Sequence, residues 1–221
     1  MSSIIDAAIA RQSDVYRSAD FRRRVFEHVG QDPSDVAICT DALLAAGRIP
    51  TAAPAMPEEA AVWADAASLF AAIAGRQRRP ASVVRTTTRL CALELQFDVG
   101  RRPAAGQPAP SATFGLALAD LLRRAHAGTA PLPPDAAPLV AVMWSEGGAA
   151  LFATIDLSGS GGGKRLYSDV RLPVPPDGGW DFVRLPTVGG SLFSSSSIAG
   201  LAAVFGAAPS LAAAQARKER S

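Results

Sequence analysis

The stretch from Ala153 to Leu172, ATIDLSGSGGGKRLYSDVRL, holds a glycine run and a lysine of the kind that could cradle a phosphate. A P-loop places G-x-x-x-x-G-K-[ST] between a strand and a helix, so that backbone N–H groups and a helix N-terminus converge on phosphate oxygens. Gly159 to Gly163 is one residue too short for that spacing, and Arg165 stands where the magnesium-binding hydroxyl belongs. The following RLYSDVRLPV alternates apolar and polar residues with the period of a strand. The run therefore reads as a hairpin connection in which glycine supplies positive φ. Ser145 in VMWSEGG follows a strand as a nucleophile-elbow serine does. Met143 occupies the first glycine position of G-x-S-x-G and another strand follows, so Glu146, Gly147 and Gly148 read as a hairpin turn. Ser191 in GGSLFSSSS fails the same pattern at Phe193; the serine run reads as a flexible approach to a final helix capped by Ser196 or Ser197. His28 and His126 sit on helix surfaces and make no metal-ligand spacing with the cysteines or carboxylates. No metal and no cofactor is expected.

Asp156, Ser158 and Gly161 spell D-x-S-x-x-G, and Arg85 with Arg89 spells R-x-x-x-R upstream. Together these five residues resemble the signature of PilZ domains, which bind cyclic di-GMP. The resemblance implies that the arginines grip phosphates and guanine faces while the Asp and Ser read the base, a task suited to the planar guanidinium fork. A small anionic-ligand or cyclic-dinucleotide sensor is accordingly one functional expectation.

The second expectation starts from charge density. Arg76, Arg78, Arg79, Arg85, Arg89, Arg101 and Arg102 crowd a segment whose acids are Glu94 and Asp98. Such a patch suits phosphate or an acidic protein partner. Phe97 is the lone aromatic in the segment, so the stacking platform that nucleic acid needs is missing and nucleic acid is not favoured. Trp63 on an apolar helical face is a further candidate for partner contact.

These residues must be carried by regular elements, and punctuation places them. A helix starting near Ser3 carries Ile4, Ile5, Ala8 and Ile9 on one face; a second starts at Asp20 and closes at Gly30. Asp32 caps a third, with Pro33 at its first position and Gly47 as terminator. A fourth runs from Pro57 to Gly75, with Val62, Trp63, Ala66, Leu69, Phe70 and Ile73 as its apolar stripe. Beyond the basic link GRQRRP, SVVRTTTRLCALELQFDV is rich in β-branched residues and reads as one long strand. A helix over 111–127, then the strands PLVAVMWS, AALFATIDL, KRLYSDVRLPV and WDFVRLPTV, precede the last helix. The fold expected is α+β, an N-terminal helical bundle over 1–80 followed by a mostly antiparallel sheet over 81–221 with helices packed on one face. The two regions read equally as separate units or as one continuous domain.

Composition narrows the class. The chain has 221 residues, enough to bury a substantial core, and hydrophobic residues are balanced by charged ones as in a globular protein. Net charge of +2 by itself calls for no nucleic-acid partner. Arginine far outnumbers lysine in a chain rich in Ala, Gly and Pro, the residue usage of a GC-rich bacterial genome. The first residues, MSSIIDAAIARQ, lack a basic region before an apolar run, so export is not expected. SIAGLAAVFGAAPSLAAAQA has the length of a membrane span, but Ala and Gly contribute little to insertion and Pro209 divides it, so a surface or docking helix is expected. Cys39 and Cys91 read as free buried thiols of a cytoplasmic protein. With no triad, metal set or cofactor loop in these residues, the expectation is a non-catalytic interaction or assembly subunit of a bacterial multiprotein system. Its partner would be another protein with an acidic surface; oligomeric state is not legible.

Overall fold

The computed structural model describes residues 2–29, 32–50, 58–99, 112–134, 138–160, 163–172 and 189–218. Spaced apolar residues and caps set the opening helices: α1 (Ser2–Arg17), α2 (Ala19–Val29), α3 (Pro33–Ala45) and α4 (Glu58–Ala74). Asp32 caps α3 by accepting the Ser34 amide, Pro33 takes the first turn, and Gly47 follows the last turn at φ 61°. On α2, Phe21, Val25 and Val29 form the buried stripe.

The segment read as one long strand divides. Pro80–Cys91 is a helix, α5, and only Glu94–Val99 is a strand, β1. Pro80 at the first turn favours a helix, and Val83, Thr87 and Leu90 at helical spacing are its buried face. Valine and threonine lose only a few tenths of a kcal/mol each in a helix, roughly, so burying that stripe outweighs their preference for strands. Thr88 turns its hydroxyl back onto the Val84 carbonyl, which satisfies it within the helix. Arg85 and Arg89 therefore project from a helix, one turn apart.

Next come α6 (Phe114–His126), β2 (Val140–Trp144), β3 (Leu151–Asp156), β4 (Lys164–Ser168), β5 (Gly189–Phe193) and α7 (Ser195–Lys218). The strands make one five-stranded antiparallel sheet in the order β1-β4-β3-β2-β5. Gly189–Phe193, assigned to no element from the sequence, pairs with β2 as an edge strand, while WDFVRLPTV lies outside the described residues. Helix α7 begins sooner than expected: the Ser194 hydroxyl, not that of Ser196 or Ser197, caps it by accepting the Ser197 amide at 3.2 Å. It runs on through Pro209 as one element. The protein is thus α+β, and among the described residues no helix is long and apolar enough to cross a membrane.

Val140, Val142, Ala153, Ile155, Tyr167 and Phe193 share one face of the sheet, and that face joins the helices in a single hydrophobic cluster that also takes in residues of α1 to α4. The opposite face carries a small cluster around Phe152 and Leu166. Helix α7 packs against α1, α2, α4 and α6. Its Phe205 closes an aromatic trio with Tyr16 and Phe21, at centroid separations of 5.9 and 5.3 Å. A Cβ at Gly200 would fall on the His28 imidazole and one at Gly206 on that of His126, so both glycines are notches that let the ends of α2 and α6 approach α7. Tyr16 donates to the buried Asp65 carboxylate at 2.8 Å, joining α1 to α4 inside the core. Burial pushes the Tyr16 phenol well above its ordinary value, and the charge of Asp65 adds to the effect.

Both cysteines are free thiols. Burial pushes Cys39 up to about 12 and Cys91 up to about 11. At neutral pH the nucleophilic thiolate is therefore scarce in the folded protein. An aromatic disulfide reagent at pH 7.5 is expected to label the buried Cys39 at the rate of unfolding and the half-buried Cys91 sooner; fast labelling of Cys39 in the native protein contradicts this.

Candidate functional site

A cleft of about 590 Å³ opens between α5 and the β2–β3 hairpin. Its apolar floor is Leu90, Val142 and Leu151, with Trp144 beside them, while Arg85, Thr86, Gln77 and Ser145 supply the polar side. The hairpin turn, Glu146–Gly148, closes one end. Gly147 and Gly148 both hold positive φ, 66° and 69°, and the Gly148 amide returns to the Ser145 carbonyl at 2.9 Å. Ser145 Oγ accepts the Ala150 amide at 2.8 Å, so the serine braces the turn.

Arg89 forms the wall. Its Nε donates to Asp169 Oδ2 at 3.1 Å, and its terminal nitrogens donate to the Gly148 and Ala149 carbonyls at 3.0 and 3.1 Å. Asp169 Oδ1 in turn accepts the Leu151 amide at 2.9 Å. One guanidinium thus fastens α5 to the turn, to the start of β3 and to the residue after β4. Arg85, one turn earlier, is exposed and has no hydrogen bond or ion pair among the described residues.

Around this cleft the basic residues differ in their partners. Arg76, in the turn after α4, has φ 50° and donates through Nε to Ser191 Oγ at 3.1 Å. Arg78 pairs with Asp35 at 3.0 Å. Arg79 takes the position before the first turn of α5, exposed and without an ion pair among the described residues. Arg101 and Arg102 lie outside the described residues. Trp63 is inside the core, 4% exposed, against His126.

The motif fragments on the glycine-run side lie elsewhere. Asp156 ends β3, whereas Leu151, at the other end of that strand, lines the cleft. The two ends are about 16 Å apart at strand rise. Asp156 is bonded to Ser158 and to Lys164, the latter at 3.1 Å, and Gly161 lies outside the described residues. Partial burial pushes the Asp156 carboxyl up, but the hydrogen bonds from Ser158 and Lys164 outweigh it and hold the group below its ordinary value. Arg165 pairs with Asp98 at 3.3 Å. Both cations beside the glycine run are therefore met by acids of this chain, and β4 follows the run where a P-loop has a helix.

Among the described residues no group of His, Cys, Asp and Glu could hold a metal ion. No family model, no curated protein and no solved structure matches this chain. The five-residue likeness to PilZ domains stands without a family match. Its arginine half lies at the cleft and its Asp/Ser half at the far end of β3.

Sequence reasoning found Arg85 and Arg89 by charge density and passed over Asp169, Thr86, Gln77 and Trp144. Asp169 is 80 residues from Arg89, and no local pattern announces such a pairing.

Proposed function

We propose that the protein is a cytoplasmic, non-catalytic interaction subunit of a bacterial assembly, and that it docks an acidic partner on the α5 side. The observation that carries this reading is where positive charge is left uncompensated. Arg22, Arg23, Arg24, Arg123, Arg124, Lys164 and Arg165 are each paired with an acid of this chain. Arg76, Arg79 and Arg85, by contrast, cluster on α5 and the turn before it without an ion pair among the described residues, Arg48 joins them through its bond to Thr88, and α5 itself carries no acid; Arg11 and Arg171 also lack an ion pair there but lie on other segments. Unpaired guanidinium groups on neighbouring turns reinforce one potential, which steers an oppositely charged surface and sets its register.

The test is parallel purification of the native chain, an Arg79→Glu/Arg85→Glu variant and a Lys164→Gln/Arg165→Gln control from the same cells. The reading expects a partner that stays with the native chain and the control, is absent from the charge-reversed variant, and is released as salt rises. Retention of every partner by the charge-reversed chain overturns it.

A further inference from the structure

The cleft can be assigned a ligand chemistry from its charge count. Arg89 is neutralised by Asp169 and spends its remaining donors on the Gly148 and Ala149 carbonyls. Arg85 is thus the one lining cation without a counter-charge among the described residues. A monoanion balances it, whereas a phosphate dianion would leave surplus negative charge beside Asp169. Guanidinium presents two parallel N–H groups that match a carboxylate edge to edge. The hydroxyls of Thr86 and Ser145 and the amide of Gln77 flank that position, above a floor of Leu90, Val142 and Leu151. Leu90, Val142 and Leu151 are themselves buried, so the half-buried Trp144 is the apolar side chain of the lining open to the neighbour of a charged head.

We propose that this cleft is a carboxylate site, in which Arg85 grips an acidic side chain from an extended, alternately apolar and acidic segment of a protein partner. The assignment rests on the docking reading above and narrows it from a charged face to one side-chain pocket. The fold supplies an internal precedent for a carboxylate on this helix: Asp169, just after β4, accepts from both Nε and a terminal nitrogen of Arg89 at its Oδ2. Arg85 is the ligand-contacting residue and Arg89 the positioning one.

The decisive experiment exploits the difference between a fork and a point charge. Fluorescence anisotropy would follow a fluorescein-labelled Leu-Glu-Leu-Glu-Leu peptide, with its Gln-for-Glu and phosphoserine-for-Glu counterparts as comparison. The native protein is expected to bind the Glu peptide and to discriminate against both others. Arg85→Lys keeps the charge but loses two-point contact, and is expected to weaken binding by about tenfold. Arg123→Lys, on α6 and paired with Asp120, should leave it unchanged. If Arg85→Lys binds as the native protein does, the pocket assignment is overturned, although the docking reading survives on its own purification test. Tighter binding of the phosphoserine peptide overturns the choice of carboxylate. An absence of Glu-peptide binding at millimolar concentration overturns the site itself. Circular dichroism of each variant separates loss of binding from loss of fold.

Discussion

Replacing Trp63 by alanine is expected to lower the unfolding free energy by about 3–5 kcal/mol, the range for removing a large aromatic from a packed core. The indole is 4% exposed in the cluster shared by α4 and its neighbours, and its ring lies tilted against that of His126, with centroids 5.4 Å apart. Its Nε1 is buried without a hydrogen-bond partner. That last fact makes a second expectation: Trp63→Phe should cost much less than the volume change suggests, because it removes a donor whose desolvation nothing offsets. Urea denaturation of both variants checks the pair. A Trp63→Ala protein as stable as the native one, but unable to hold its partner, would move this residue from the core to an interface.

Arg89→Ala should lower stability by roughly 2 kcal/mol, a figure already reduced for the partial exposure of the pair. The loss has separate parts. Asp169 keeps its bond to the Leu151 amide but loses its cation, and the Gly148 and Ala149 carbonyls lose their donors. The loosening should be local, so amide exchange is expected to quicken at Leu151 and Gly148 before it does on α4. Because Arg85 is untouched, binding should weaken through loss of a formed cleft, and an osmolyte that restores the fold should restore part of it. Uniform exchange across the molecule, or none, would show that the latch does not hold the hairpin.

Local chemistry announced most of the helices. Pro33 behind Asp32, and Gly47 at φ 61°, mark α3 because capping and positive φ are decided within a few residues. The same logic failed for α5, where a run of valine and threonine outweighed Pro80 in the reading. The stripe of Val83, Thr87 and Leu90 that settles the matter gains its energy from partners far away in sequence. The meander of β2, β3 and β4 was legible from alternation and glycine turns, while β5 was not, since GGSLF has little strand character outside its pairing with β2. At the site, charge density picked out α5, but which arginine is free and which is a latch depends on Asp169, and that distinction is purely tertiary. The D-x-S-x-x-G fragment likewise has a tertiary side that its letters do not carry: Asp156 and Lys164 face each other across paired strands, so its acid already has a partner in this chain.

The aromatic trio ties the order of synthesis to the order of folding. Tyr16 and Phe21 leave the ribosome before α3 to α6 and the five strands, yet the ring that covers them, Phe205, belongs to α7, which follows all of these. Until α7 emerges, Tyr16 and Phe21 lack the ring that completes their packing. A chain arrested before α7 would expose those rings to chaperones or to other copies of itself, and native packing of α1 and α2 waits for α7.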